Sequence, residues 1–166
     1  MGCERCGIPR QKMNADEAVQ MVERMLGVLA KKTNLQGDIG GVFCAVKQDT
    51  REYTIPPTPI GIVLEQDKCN ESCTEQANRL CEMHASDDHW LSWQSRDVDA
   101  GKWGGAIHDG EYVWSFSGMP EAFCEALMLT SAQMCGRIMN GAPAIYAETS
   151  SNSIILEGEY LFWARD

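Results

Sequence analysis

The sequence has few basic residues and no long apolar run, and each shortage excludes a class of protein. There are 14 Lys and Arg residues against 24 Asp and Glu, which gives a formal net charge of −10. Such an acidic surface repels phosphate backbones and anionic lipids, so we expect no nucleic-acid partner and no membrane partner. No apolar stretch approaches the roughly 18 residues of a membrane-spanning helix, and the first residues lack the apolar core of a signal peptide. These absences predict a cytoplasmic protein.

The chain also lacks the short motifs that commonly mark catalytic or nucleotide-binding sites. No HExxH, GxSxG, P-loop or GxGxxG pattern occurs, and there are three histidines, at His84, His89 and His108. A Cys–His pair assembled by the fold is the only catalytic hypothesis left, and it has the least support. His108 directly precedes an Asp-Gly turn, so we expect it to be exposed. The sequence therefore favours binding over catalysis.

The length of 166 residues fits one domain with a substantial core. We interpret residues 1–12 as a CxxC knuckle or a flexible tail, and residues 13–166 as a single α+β domain. The predicted order is α-β-β-α-β-β-α-β-β. The strands would form one antiparallel sheet of five to six strands, with three helices packed against it.

Capping and periodicity predict the first half of these elements. Asn14 and Glu17 form a capping-box pattern ahead of an apolar stripe that indicates a helix of about 18 residues. The alternating segment GGVFCAVKQD then predicts a strand. The prolines of IPPTP restrict residues 55–59 to an edge strand or a rigid loop. GIVLEQ predicts the next short strand, and a second helix is expected to begin near Asn70 or Ser72.

Turn residues predict where the elements in the second half of the chain begin and end. Asp109-Gly110 predicts a two-residue hairpin of type I′. The strand after it places Tyr112, Trp114 and Phe116 on one face. A third helix is expected from Pro120 to about Gly136. The segment PAIYAETSSNSIILEGEYLFWA predicts a final hairpin that turns at residues 150–152.

The corner between the aromatic strand and the third helix is the candidate ligand site. Free N–H groups at a helix start favour anions, and Gly118 lets a ligand approach the backbone. We predict that a small molecule contacts Trp114, Ser117, Gly118 and Glu121. In the alternative interpretation, Ser117 simply caps the helix and Gly118 simply turns the chain.

The same corner resembles the GlcG/HbpS-like family of haem-degrading and haem-binding proteins, mainly over residues 104–132. The similar features are a strand at Gly105-Ala106-Ile107, a turn at Asp109-Gly110-Glu111, a Ser117-Gly118 step, and Glu125-Ala126 in the helix. The family's acid is usually Asp and usually lies further from Ser-Gly. The resemblance implies a small-ligand or haem-associated sensor, usually oligomeric. The aromatic segment Tyr160 to Trp163 also favours a homo-oligomer, because it predicts an exposed edge strand.

Eight cysteines without an export signal favour thiol, metal or redox chemistry over disulfides. Cys3 and Cys6 form a CxxC knuckle that suits zinc, and Cys69 with Cys73 supplies a CxxxC second half. A zinc site made by these four cysteines is the main alternative function. A free-thiol tail and a redox pair are two alternative explanations of the CxxC, although a thioredoxin-type pair should open a helix after a strand and this one precedes Gly-Ile-Pro. The remaining cysteines fit as small buried side chains, although Cys81 and His84 stand close enough in sequence to share a metal.

Overall fold

A computed structural model describes residues 12–155, which form four helices, a short 3-10 helix and a four-stranded sheet. In chain order the elements are α1 (Ala15–Lys32), β1 (Gly40–Lys47), β2 (Tyr53–Gly61), α2 (Gln66–Asp87), the 3-10 helix (Ser92–Ser95), β3 (Ala106–His108), β4 (Tyr112–Ser117), α3 (Glu121–Met134) and α4 (Ala142–Ser150). The predicted α+β class with an antiparallel sheet is confirmed. No helix within this part of the chain is both long enough and apolar enough to cross a bilayer.

Helix α1 begins and ends where its sequence predicts. The Asn14 side chain accepts a hydrogen bond from the N–H of Glu17 at 3.1 Å and satisfies one free donor of the first turn. Lys31 and Lys32 occupy the last turn, where the negative end of the helix dipole favours them. The apolar stripe that includes Val22 is buried against the sheet side of the core. Local signals therefore suffice for this element.

All strands pair antiparallel, in the order β2-β1-β4-β3. Residues of β4 alternate between the two faces of the sheet, as strand geometry requires. Trp114 and Phe116 join the apolar core formed with α1 and α3, whereas Val113 packs against the face that α2 covers. Every residue of β4 is buried as a result. The sheet is thus sandwiched between α2 on one side and α1 with α3 on the other.

Both edges of the sheet are protected from further strand pairing. Strand β2 is an outer strand and carries Pro56, Pro57 and Pro59, which have no N–H to offer another strand. This outcome confirms the edge interpretation of the proline-rich segment. On the other side, the three-residue β3 is covered by the chain around Leu91, which bridges to Ile107.

The hairpin between β3 and β4 is confirmed, but its predicted turn type is wrong. A type I′ turn needs positive φ at both central residues, and of the two only Gly110 has it, at 105°. Asp109 instead folds the turn with its carboxylate. One oxygen accepts the N–H groups of Glu111 and Tyr112, at 2.8 and 2.7 Å. The side chain rather than the backbone therefore sets this turn.

The other carboxylate oxygen of Asp109 connects the hairpin to the core. It accepts the indole N–H of Trp114 at 3.0 Å and the Nε–H of Arg137 at 2.9 Å. Arg137 also pairs with Glu111 at 3.0 Å, and its guanidinium lies 5.0 Å from the centre of the Tyr112 ring. Asp109 is 1% exposed. One buried carboxylate thus holds the turn, β4 and the chain after α3 together.

Three predicted element positions are wrong. Residues 62–65 of GIVLEQ form a loop rather than a strand, because the second strand is the preceding Tyr53–Gly61. Helix α2 begins at Gln66, earlier than Asn70 or Ser72. The first half of the predicted final hairpin is α4, whose start combines the left-handed Gly141 with Pro143 in the first turn. The sheet accordingly has four strands among residues 12–155 instead of five to six. The second half of that hairpin, including residues 160–163, lies outside the described residues.

Candidate functional site

A cavity of about 520 Å³ lies where the β4–α3 corner faces the start of α2. It combines residues from the predicted Ser-Gly corner, from α2 and from two loops beside β1 and β2. The lining residues are Asp38, Gly40, Ile62, Val63, Leu64, Glu65, Lys68, Cys69, Ser72, Gln76, Trp103, Gly104, Ser117, Gly118, Met119, Pro120, Glu121 and Cys124. Three of the four residues predicted to contact a ligand, Ser117, Gly118 and Glu121, therefore share one concave surface.

The backbone at Gly118 sets the shape of the corner. Its φ is +133°, a conformation that side-chain-bearing residues rarely adopt. A Cβ at this position would lie 2.6 Å from the Cα of Gly41 and 2.8 Å from the carbonyl oxygen of Gly40. Strand β1 thus runs directly against the corner, and only glycine fits between them.

Ser117 does not cap α3. The N-cap of α3 is Pro120, and no side chain bonds to the free N–H groups of the first turn there. Ser117, which is 9% exposed, is one of the residues that line the cavity. The simple capping interpretation of Ser117 is therefore wrong, while Gly118 does have the turning role.

Glu121 positions the wall of the cavity. One carboxylate oxygen accepts the N–H of Gly104 at 2.8 Å, and the other pairs with Arg96 at 3.0 Å. The backbone carbonyl of the adjacent Trp103 accepts a hydrogen bond from Arg79 of α2. These contacts hold the loop before β3 between α2 and α3. Glu121 is thus largely occupied by protein partners.

Helix α2 contributes polar residues to the cavity, which are exposed near the start of the helix and buried nearer the sheet. Glu65 is the N-cap of α2, without a side-chain cap bond, and forms a 3.6 Å ion pair with the exposed Lys68. Deeper in, Gln76 is 2% exposed and donates to the hydroxyl of Ser72 at 3.2 Å. The Oγ atom of Ser115 on β4 lies 3.4 Å from Oε1 of Gln76. These contacts link the cavity floor to the sheet.

Trp114, the fourth predicted ligand contact, is not among the residues that line this cavity. Its ring is fully buried on the α1 and α3 side, 5.7 Å from the ring of Phe43. Its indole N–H is bonded to Asp109. The structure therefore gives Trp114 a packing role in the core.

The predicted zinc ligands divide between the described and undescribed parts of the chain. Cys3 and Cys6 lie outside the described residues, so the four-cysteine zinc site stays a prediction. Cys69 is partly exposed and borders the cavity, whereas Cys73 is fully buried with its sulfur 3.3 Å from that of Cys44. Within residues 12–155, no three His, Cys, Asp or Glu side chains are grouped closely enough to hold a metal ion.

Haem, which the family resemblance implies, fits the lining residues poorly. Haem iron is held in proteins by His, Cys thiolate, Met or Tyr. Among the lining residues these types are represented by Cys69, Cys124 and Met119. Burial raises the pKa of the Cys69 thiol, and it raises the pKa of Cys124 to about 12, so neither favours the thiolate form. Met119 is thus the one lining residue left as a candidate axial ligand, and no histidine lines the cavity to pair with it.

The histidines gather at a distance from this cavity, and the expected exposure of His108 is wrong. His108 is 0% exposed, and its ring stacks on that of His84 with centroids 3.5 Å apart. Its Nδ1 accepts the N–H of Gly110 at 2.9 Å, and Nε2 lies 3.2 Å from Gln48 Oε1. Trp90 packs edge-on against both rings. This cluster closes the hairpin end of the sheet.

Of the six cysteines in the described part of the chain, four are buried and two are partly exposed. Burial raises the pKa of Cys81, and it raises the pKa of Cys135 to about 11. A nucleophilic cysteine needs a lowered pKa and an adjacent base. Cys81 and Cys135 therefore lack the lowered pKa that the Cys–His enzyme hypothesis requires.

Glu125, the acid in the family-like segment, is a structural residue at 2% exposure. One of its carboxylate oxygens accepts hydrogen bonds from the Ser150 hydroxyl at 2.6 Å and the Asn152 amide at 2.7 Å. It thereby ties α3 to the end of α4. Burial is the main cause that raises the pKa of this carboxyl, since the two hydrogen bonds act in the opposite direction.

The raised pKa of Glu125 predicts a pH-dependent stability. Its stabilising contribution is fully present below the unfolded-state pKa of about 4.3 and is lost as the pH rises through the folded-state value. We expect Glu125→Gln to flatten the free energy of unfolding over that interval, because glutamine stays neutral and keeps an acceptor oxygen. Urea titrations at a series of pH values measure this slope. The exposed Glu148→Gln is the control, and an equal change in both variants would contradict the assignment.

Comparison with protein-family models, curated proteins and solved structures finds no match to this chain. The function must therefore be argued from the chemistry of the cavity itself.

Proposed function

We propose that this protein binds a small molecule in the cavity between the β4–α3 corner and the start of α2, as a ligand-binding or sensory module. The observation that carries the proposal is the cavity of about 520 Å³, which falls in the size range of small-molecule sites. Its lining mixes apolar walls with a few polar groups, which is the usual composition of such sites.

The chemistry of the lining defines the kind of ligand. Ile62, Leu64 and Trp103 are exposed apolar side chains at 56%, 76% and 41%. They would cover an apolar body of the ligand. The N-cap residues of α2 and α3, Glu65 and Pro120, both border the cavity and neither helix has a side-chain cap. The free backbone N–H groups in the first turns of α2 and α3 suit an acceptor group on the ligand, such as a carbonyl. A partly apolar molecule with one polar end matches this arrangement better than haem does.

Homo-oligomerisation is the second part of the proposal. Because prolines and the chain around Leu91 protect both sheet edges, subunits would meet through helices or loops rather than through a continuous sheet. Light scattering after size-exclusion chromatography tests this part, and a monomer at all accessible concentrations would contradict it.

The binding proposal is tested by a fragment screen followed by amide chemical-shift mapping. A ligand in the cavity should shift the amides of Gly104, Gly118 and Cys69, which come from three separate segments that line it. Amides of the His84–His108 cluster at the hairpin end should stay unchanged. Hits that perturb only other surfaces, or no hits from a chemically diverse set, would contradict the assignment.

Leu64→Ala should weaken the binding of any such hit about tenfold, because a buried leucine contact is worth roughly 1.5 kcal/mol. Leu64 is 76% exposed in the unliganded protein, so its removal should leave folding stability nearly unchanged. Met139→Ala is the matched control, since Met139 is 81% exposed and does not line the cavity. Isothermal calorimetry measures both affinities. Equal losses in the two variants would contradict the proposed wall.

A further inference from the structure

A pair of cysteines lies on the α2 side of the sheet and takes no part in the proposed binding function. Cys44 of β1 and Cys73 of α2 are both fully buried, and their Sγ atoms are 3.3 Å apart. The thiol of Cys73 also lies 3.4 Å from the carbonyl oxygen of Ser115 on β4. In return, the Ser115 hydroxyl donates to the carbonyl of Cys73 at 2.8 Å. Helix α2 is thus held in fixed register against both central strands at this point.

We propose that Cys44 and Cys73 form a redox site, in which a small-molecule disulfide converts the two thiols to an intramolecular disulfide that links β1 to α2. A disulfide bond is about 2.05 Å long. Starting from 3.3 Å, the two sulfurs need to approach by about 1.2 Å. The two sulfurs are already in contact, so closing the bond needs a movement of that size.

The reaction is a balanced pair of thiol–disulfide exchanges. The Cys73 sulfur, having lost its proton to solvent, attacks one sulfur of the oxidant RSSR, which forms a mixed disulfide and releases the first RS⁻. The Cys44 thiolate then attacks the Cys73 sulfur and releases the second RS⁻. The two protons lost by the cysteines convert the leaving groups to two RSH. The protein dithiol is oxidised by two electrons, and RSSR is reduced by two.

Cys44 and Cys73 are both 0% exposed, so an oxidant reaches them only when the protein opens locally. Cys69, Ser72 and Gln76 line the open cavity, and Cys73 lies on the same helix behind them. The hydrogen bond with Cys73 and burial raise the pKa of the Cys44 thiol. A scarce thiolate and the need for local opening make the exchange slow, on the scale of minutes to hours. The pair therefore responds to sustained oxidation rather than to brief exposure.

A resident metal explains this pair less well. A closed zinc site needs four ligands. Within residues 12–155, no group of three His, Cys, Asp or Glu side chains is arranged to supply them. A two-thiol contact without a third ligand is the arrangement that suits disulfide formation.

Peptide mapping of the oxidised protein tests the proposal. The Cys69→Ser variant is used, because tryptic cleavage after Lys68 and Arg79 otherwise leaves Cys69 and Cys73 on one peptide. The folded variant is incubated with oxidised glutathione, alkylated, digested and analysed by mass spectrometry. We expect a linked species that joins peptide 33–47, which carries Cys44, to peptide 69–79. Its loss on treatment with a phosphine reductant should restore both free peptides.

Two further measurements keep the test decisive. Replacing Cys44 by Ser in the same background removes the linked species altogether, and the exchange should stop at peptide 69–79 carrying glutathione on Cys73. Because that variant could lose stability, the thermal midpoint of the oxidised and reduced Cys69→Ser protein is compared as well, and oxidation should raise it. The proposal fails if Cys44 and Cys73 stay unlinked while other thiols are oxidised. It also fails if the link appears only in denaturant.

Discussion

Replacing Asp109 by alanine should destabilise the protein by about 3–5 kcal/mol, because it removes the buried carboxylate that pairs with Arg137 and leaves that arginine with its second partner, Glu111. The Asp109 carboxylate accepts hydrogen bonds from two backbone N–H groups of the hairpin, from the indole of Trp114 and from Arg137. The Arg137 side chain is 6% exposed, so water replaces little of what it loses. Urea unfolding should show a lower midpoint with an unchanged dependence on denaturant.

Two further variants, one conservative and one at the surface, serve as comparisons for Asp109→Ala. Asp109→Asn keeps one oxygen for the hairpin N–H groups but turns an NH₂ toward Trp114 and Arg137, so it should also destabilise, by less than alanine does. Asp49→Ala removes an exposed acid that lies 3.8 Å from Lys47, and it should change the free energy of unfolding by no more than about 0.5 kcal/mol. A loss below about 1 kcal/mol for Asp109→Ala would show that this network does not stabilise the fold.

The second large effect is expected for Gly118→Ala, at about 2–4 kcal/mol of stability together with loss of ligand binding at the corner. The new Cβ would meet the Cα of Gly41 at 2.6 Å and the Gly40 carbonyl oxygen at 2.8 Å, both of them backbone atoms. To relieve the contact, the end of β4 must move away from β1. That movement would displace Ser117 and change the shape of the cavity.

A second glycine serves as a control that distinguishes the steric contact with β1 from the strain of a left-handed backbone. Gly101 also has positive φ, at +70°, but a Cβ there would meet no atom within 4 Å. Gly101→Ala should therefore cost only about 1 kcal/mol, from the left-handed conformation. Denaturant titration and amide shifts around Ser117 measure both variants. Equal costs for the two substitutions would mean that the β1 contact has no role.

The sequence predicted well those elements whose signals are local. Helix α1 follows from the Asn14 cap and its apolar stripe, and α3 follows from Pro120 at its start. By contrast, α2 begins after Glu65, which makes no side-chain cap bond, so nothing in the sequence marks its first turn. The sequence of α4 was interpreted as a strand because Ile145 and Tyr146 are residue types that favour strands. Gly141 and Pro143 are a helix-start signal that outweighed this preference.

The same distinction applies to the candidate site. Ser117, Gly118 and Glu121 are neighbours in sequence, so one strand-to-helix pattern identified all three. Leu64 and Lys68 line the cavity because the order of strands in the sheet places the segment between β2 and α2 beside the β4–α3 corner. Tertiary arrangement of this kind has no local signature. The burial of His108 likewise depends on α2 and Trp90 packing over the hairpin, which its position before a turn does not reveal.

The strand order also has a consequence for how the chain folds. Strands β1 and β2, like β3 and β4, are hairpins between neighbouring segments and close short loops. The central pairing of β1 with β4 instead joins Val42 to Ser117, with all of α2 between them. Closing that long loop carries a chain-entropy cost that the local hairpins avoid. The slow step of folding should therefore be the joining of two preformed hairpins, and the tight β1–Gly118 contact would form only when they join.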